Sequence, residues 1–247
     1  MNLTLLRAPG APVLRVGHRG ARGHAPENTM LSFSTGAAMG VNAVETDVQL
    51  SKDGEVVLIH DHTVDRTTNG HGFVKDMTLA ELKRLDAGSW YGPTFAGERI
   101  PTLAELLAWA KDRVGVALEI KNGPIYYPGI AEKTIRLVRQ HGMERQVILI
   151  SFDHFVLREA KQIAPEIATG IIYVAGLVDA VTAARAAQAD SLNPHWAYVT
   201  PELVSAVHAE GLAISPWNPN DLATIRLLSG MGVDSVGTDY PDLFDQV

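Results

Sequence analysis

Residues 45–61 read ETDVQLSKDGEVVLIHD, and how this stretch is read decides the fold. Apolar runs at 43–49 and 56–60 flank Asp53-Gly54, a dipeptide that favours a two-residue hairpin turn. Such a turn pairs Lys52 with Glu55, Leu50 with Val57 and Asp47 with His60. Opposed residues of an antiparallel pair share a face, so His60 is expected beside Asp47. On this reading 56–60 is the return arm of a hairpin and not a strand in its own right.

Working outward, short apolar runs alternate with helical patterns. Runs at Leu14–Gly17, Gly115–Ile120, 147–150, Ala168–Tyr173, 191–193, 212–216 and Ser235–Thr238 join 43–49. With the hairpin arm set aside they make about eight strands. Helical patterns fall at 29–39, 103–111, Ile130–His141, His154–Ile163, 177–187, 201–210 and Leu222–Met231. In AEKTIRLVRQHG, Ile135 and Val138 recur at helical spacing and Gly142 follows the end. This rhythm means a parallel sheet covered by helices. A chain of 247 residues suits one (β/α)8 TIM barrel, which typically takes about 250. The expectation is therefore a single α/β barrel domain over 1–247, with a small insertion at about 63–100 after the second-strand hairpin. That insertion is rich in turn formers (TTNGHGF, DAGSWYG), with one short helix where Thr78 and Glu81 make a capping-box pattern.

The net charge of −7 argues against a nucleic-acid partner, whose footprint would be basic. It leaves a phosphate-bearing small molecule open, because local charge matters more than the total. With no cysteine there is no disulfide frame, thiolate metal site or cysteine nucleophile, as expected of a cytoplasmic protein. No apolar window is long enough to insert in a bilayer, and the N-terminal stretch lacks a leader pattern. Oligomeric state is not legible.

In a barrel the C-terminal strand ends face the site. His18-Arg19 ends the first strand, in VGHRGARGHAPENT. The second carries Glu45 and Asp47, two apart and so on one face, and VGVALEIKNG carries Glu119 and Lys121 the same way. Later ends offer Ser151, Tyr173, His195, Trp217 and Asp239. A single carboxylate at a strand end is usually a solvated or capping group. Glu45, Asp47 and Glu119, however, sit inside apolar strands, where an ionised group needs a partner. Three converging carboxylates point to a hard divalent cation, Mg²⁺ or Ca²⁺, held by oxygen. His18 and His60 are read as acid and base, since an imidazole titrates near neutrality. As metal ligands they would favour a softer ion. Arg19 and Lys121 either neutralise the carboxylates or bind an anion, with arginine offering a planar fork to phosphate. Asn28-Thr29 reads as helix capping, Pro26-Glu27 as loop shaping, and Asp239 as a brace for the last turn through its backbone amides. Trp217 is core by composition, but the turn-rich SPWNPND puts it at a strand end. Together these groups suit metal-assisted cleavage of a phosphodiester.

GHRGARGHAPENT, VETDVQLSKDGEVVLIHD, RIPTLAELL, ALEIK and GVDSVGTDYPD occur in that order. In them the chain resembles the glycerophosphodiester phosphodiesterase family from about residue 16 to 243. The resemblance implies a (β/α)8 barrel with an insertion after the His-Asp motif. It also implies hydrolysis of glycerophosphodiesters to glycerol 3-phosphate and an alcohol. His18 and His60 match the family's acid–base pair, and Glu45, Asp47 and Glu119 its metal ligands. Arg19 and Lys121 match its phosphate-side cations, and Trp217 is carried over as a substrate contact. One run departs: where the family often has Trp-Thr-Val-Asn, this chain has WNPN, Trp217 to Asn220, whose Pro219 removes a backbone donor. Two other readings fit the same residues. One is a phospholipase-D-like or lyase activity on lysophospholipid phosphodiesters. The other is a barrel that binds phosphate compounds without turnover.

Overall fold

A computed structural model describes residues 3–8 and 10–247. Nine strands and eight α-helices alternate along it. The strands are β1 (Leu14–Gly17), β2 (Ala43–Leu50), β3 (Val56–Leu58), β4 (Gly115–Ile120), β5 (Val147–Ser151), β6 (Ala168–Tyr173), β7 (Ser191–Pro194), β8 (Ala213–Ile214) and β9 (Ser235–Thr238). The helices are α1 (Met30–Ala38), α2 (Leu79–Leu82), α3 (Leu103–Ala110), α4 (Ile130–His141), α5 (His154–Ile163), α6 (Ala180–Ala186), α7 (Pro201–Ala209) and α8 (Leu222–Met231).

Eight strands run parallel in the order β8-β7-β6-β5-β4-β2-β1-β9. The two ends meet: Asp234 N–H donates to Ile214 O at 2.9 Å and Gly237 N–H to Pro216 O at 3.2 Å. The sheet thus closes into the (β/α)8 barrel expected from the alternation. The place of a last helix is taken by a 3₁₀ turn, Pro241–Gln246, which buries Phe244 under Arg15. Strands β4 and β5 are buried along their whole length, as strands sandwiched between barrel interior and outer helices must be.

The hairpin exists, but its register differs from the expected one. Val48 pairs with Leu58, Gln49 with Val57 and Leu50 with Val56. The turn holds three residues, Lys52-Asp53-Gly54, because Ser51 N–H already donates to Glu55 O at 3.0 Å. Gly54 supplies the positive φ of +83° that such a loop requires. One added residue shifts every pair by one, so Ile59 and not His60 lies across from Asp47, and Ile59 N–H donates to Asp47 O at 3.1 Å. Pairing stops at Leu58 and His60 belongs to the following bend.

β4 runs along one edge of β2, pairing from Ala43 to Val48. The other edge is shared, with β1 on Ala43–Val44 and β3 on residues 48–50. β3 therefore rises from the C-terminal end of the barrel. Val56 and Leu58 point into the main core, whereas Val57 and Ile59 join Val64, Val74, Leu82, Ala87 and Ile100 in a second small core. Within this segment Thr78 and Glu81 do form the capping box of α2.

Because the hairpin loop depends on a left-handed residue at 54, Gly54→Ala should lower unfolding free energy by about 1–2 kcal/mol. Gly54→Asn should cost less, since asparagine tolerates that region. Urea titration of the two variants against the parent checks the ordering.

Candidate active site

The mouth of the barrel is built from strand ends. Glu45 and Asp47 share a face of β2, and Glu119 and Lys121 stand on and just past β4. Single oxygens of Glu45, Asp47 and Glu119 lie within 4.8 Å of one another, and all three side chains are buried. Two cations answer them, buried Arg19 and partly buried Lys121. Lys121 Nζ lies 2.5 Å from Glu119 Oε1 and 3.0 Å from Asp47 Oδ1. Arg19 Nε lies 3.4 Å from Asp47 Oδ2, and the Arg19 backbone N–H donates to Glu45 Oε2 at 3.0 Å.

The balance between burial and these charges sets each carboxyl apart. Burial, reinforced by Asp47 and Glu119, holds Glu45 well above the usual carboxylate range. Glu119 is also raised, through burial first, with Lys121 opposing. For Asp47 burial acts upward too, but Lys121 and Arg19 outweigh it and leave this carboxyl far below its ordinary value. Asp47 Oδ1 nevertheless has no hydrogen-bond donor, because Lys121 approaches it off hydrogen-bond geometry. An all-oxygen set, one oxygen without a donor and a carboxyl whose charge is disfavoured fit a divalent cation.

Two imidazoles flank this cluster. His18 Nδ1 donates to Asp239 Oδ1 at 2.5 Å, and its Nε2 is 3.9 Å from Glu45 Oε2. His60 Nδ1 donates to Asp61 Oδ1 at 2.7 Å. A carboxylate can only accept, so in each pair Nδ1 carries a proton and Nε2 is the nitrogen left to take up or give one. Burial lowers both imidazole pKa values, against the pull of Asp239 on His18 and of Asp47 on His60.

A further shell fixes these groups. Arg19 Nη1 donates to Glu27 Oε1 at 2.6 Å. Arg66, from the segment after β3, bridges two carboxylates: Glu27 at 2.8 Å through Nη1 and Nη2, and Asp61 at 2.7 Å through Nε. The hydrogen bonds from Arg66 push Asp61 below the usual carboxylate range. One guanidinium thus ties the carboxylate behind His60 to the carboxylate behind Arg19.

A cavity of about 440 Å³ opens here and is lined by His18, Arg19, Glu45, His60, Glu119, Lys121 and Trp217 among others. Asp47 lies behind this wall, 1% exposed. Trp217 Nε1–H donates to Asn193 O at 2.9 Å, and its ring meets Phe152 and His195 edge-on. The structure therefore brings together His18, His60, Arg19, Lys121, Trp217, Glu45, Asp47 and Glu119.

Several local readings change. Thr29 caps α1, but Asn28 does not: its Nδ2 donates to Asp47 Oδ2 at 2.8 Å and its Oδ1 accepts from Thr46 Oγ1 at 2.7 Å. Its φ of +57° is what turns the amide away from the helix and onto β2. Glu27 is a buried ion-pair centre and not a loop former. Asp239 spends its carboxylate on His18 and on Asn220 Nδ2, at 2.9 Å for the latter. The Asp239 backbone N–H in turn donates to Asn220 Oδ1 at 2.9 Å. The alternation Glu45-Asp47-Gln49 hinted at a third polar residue on the β2 face; nothing in sequence singled out Arg66.

The fold and mouth define a (β/α)8 barrel with a buried acidic triad and two carboxylate-backed histidines. The sequence profile of the glycerophosphoryl diester phosphodiesterase family matches residues 18–243, and the chain belongs to this enzyme family. It is 44% identical over 230 residues to a glycerophosphodiester phosphodiesterase of Caldanaerobacter subterraneus subsp. tengcongensis, covering 93% of this chain and 95% of that protein. Identity to a glycerophosphodiester phosphodiesterase of Bacillus subtilis is 36% over 253 residues, covering 95% and 86%. Among solved structures, an Oleispira antarctica phosphodiesterase in complex with the product sn-glycerol-3-phosphate superposes with a TM-score of 0.86 at 33% identity, covering 95% of this chain and 96% of that one. An Agrobacterium tumefaciens glycerophosphodiester phosphodiesterase gives 0.85 at 33%, covering 95% and 100%. Among the described residues no helix is long and apolar enough to cross a membrane.

A cation bound at the triad would compete with a proton for Glu45, whose pKa burial and its acidic neighbours raise. Its affinity should therefore fall as pH drops through the raised Glu45 value, with proton release on binding. Calorimetry in two buffers of different ionisation enthalpy measures both. Glu119→Gln should weaken Mg²⁺ or Ca²⁺ binding by at least about 10-fold while leaving the fold intact.

Proposed function

We propose that this enzyme hydrolyses glycerophosphodiesters to glycerol 3-phosphate and an alcohol, with Glu45, Asp47 and Glu119 holding one divalent cation, Mg²⁺ or Ca²⁺. The observation that carries this reading is that His18 and His60, each held by a carboxylate at Nδ1, line one cavity with Glu45 and Glu119, with Asp47 just behind them. A cation held by these three carboxylates would supply charge neutralisation to the phosphate. Arg19 and Lys121 add positive charge on the same side, and their own ion pairs hold them in place before substrate arrives.

His18 and His60 divide the proton transfers. One imidazole takes at Nε2 the proton of the attacking oxygen, that of water or of the substrate's glycerol 2-hydroxyl, and the other, as imidazolium, gives its Nε2 proton to the departing alkoxide. In the second case water, deprotonated in the same way, then opens the cyclic phosphate to glycerol 3-phosphate. Asp239 and Asp61 serve each role in the same way: they fix the ring and favour its charged form as the proton arrives. Trp217, braced on Asn193 O and flanked by Phe152, presents an apolar wall to the substrate. The Oleispira relative in complex with the product sn-glycerol-3-phosphate supports glycerol 3-phosphate as the product here. Residues 1–247 are taken as one catalytic domain, with about 63–100 as an insertion that carries Arg66.

His18→Ala and His60→Ala should each lower kcat by about 100-fold or more, with cation binding kept. Loss of the cation in either variant would make that histidine a ligand instead. Asp239→Asn should cost kcat and spare KM, because it acts on His18 and not on substrate. The reaction itself is checked with glycerol-3-phosphate-coupled turnover of glycerophosphocholine against a lysophospholipid, each cation added after chelation. A higher kcat/KM for the lysophospholipid would replace this reading with the phospholipase-D-like one.

A further inference from the structure

Gln49 lies two residues past Asp47 on the same face of β2 and is completely buried. Its Nε2 donates to three successive carbonyls: Ile59 O at 2.9 Å, His60 O at 3.0 Å and Asp61 O at 2.7 Å. At the other end Oε1 accepts from Tyr127 O–H at 2.7 Å and from His62 Nδ1–H at 3.2 Å. The orientation of the amide follows from its partners, since carbonyls only accept and the tyrosine hydroxyl reaches Oε1 as donor. An NH₂ group has two hydrogens, so the three carbonyls share them, and all must curl towards one point.

That curl has a chemical purpose. β3 ends at Leu58 and Ile59 N–H makes the last bond to β2, so the carbonyls of residues 59–61 have left the ladder that would otherwise satisfy them. Among the described residues no other hydrogen bond is made to these three carbonyls. Buried carbonyls without a donor are costly, and a chain free to relieve them would take another path. His60 is in the middle of this bend, and its ring must meet both Asp61 and the cavity. The shift in hairpin register removes the direct pairing that would have placed His60 against Asp47. A side-chain clamp does that work instead.

We propose that Gln49, oriented by Tyr127, is the positioning residue that sets the backbone of His60 for proton transfer. The inference rests on the acid–base reading of His60. Gln49 touches no substrate; it acts through the path of residues 59–61. Tyr127 brings in the loop between β4 and α4, so the clamp joins the strand that carries two triad residues to the strand end that carries His60.

The test uses Gln49→Glu, which keeps size and the bond from Tyr127 but turns a carboxylate oxygen towards three carbonyls. Displacing His60 by about 1 Å should lower kcat about 100-fold. KM should stay within about threefold, since substrate contacts are untouched. In ¹⁵N-histidine spectra the His60 ring should lose its fixed Nδ1–H tautomer while the His18 ring keeps its own. Tyr127→Phe removes one bond to the amide and should lower kcat by about 10-fold; it decides the matter alone if Gln49→Glu fails to fold. Wild-type kcat in either folded variant, or equal disturbance of the His18 and His60 rings, would overturn the proposal. If the unmodified enzyme turns over no glycerophosphodiester, the functional reading fails, while the ring spectra still judge the clamp.

Discussion

Glu45, Asp47 and Glu119 are buried within 4.8 Å of one another, and the mouth of the barrel is arranged around that repulsion. Among the described residues Arg19 and Lys121 are the cations paired with these carboxylates, and burial together with mutual repulsion works against ionising all three. The charges divide unevenly. Asp47, between both cations, is held ionised, whereas Glu45 is pushed towards its neutral form by burial and its acidic neighbours. A site with this imbalance could take up a further positive charge, so the same residues that destabilise one another suit a cation. Placement on strands and not loops gives the oxygens the rigidity that ligation demands.

The segment between β3 and α3 is bound into the same logic. β3 is apolar on both faces because it separates two cores, with Val56 and Leu58 on the barrel side and Val57 and Ile59 on the outer side. The outer core holds the segment in place, and the segment returns Arg66 to Glu27 and Asp61. Behind Arg19, His18 and His60 there is a carboxylate in each case, and behind two of those carboxylates, Glu27 and Asp61, there is one arginine. Such networks specify geometry more than they add stability, since each ion pair must first overcome its desolvation.

Below the triad the barrel is less filled than the layered interior usual for the fold. Small residues such as Ala117, Ala213 and Gly237 stand where bulkier ones would meet, and Leu3 and Leu5 also line the space. The cavity that results is apolar along Ile148, Ile150 and Ile172 and carries Ser191, Asn193 and Ser215 as well. Trp217 stands over it, braced by the carbonyl of Asn193, so the change from the family's usual run at Asn218 and Pro219 leaves its anchor intact.

Much of this was legible in sequence because it is local. The period-two placement of Glu45 with Asp47 and of Glu119 with Lys121 puts paired side chains on one face whatever the surroundings, and a carboxylate in an apolar strand demands a partner anywhere. Strand–helix alternation likewise implies a parallel barrel from hydrophobic periodicity alone. What failed did so by a single residue: Asp53-Gly54 announced a turn but not its length, and turn length sets register. The roles of Asn28, Asp239, Gln49 and Arg66 were beyond reach for a different reason. Each depends on a partner 10 to 221 residues away in the chain, brought close only when the barrel closes and the hairpin folds over its mouth. The sequence by itself determined which groups carry charge and which face they share. Only the tertiary structure decided which way each ring and amide points, because that direction is set by hydrogen bonds between strand ends that no local pattern records.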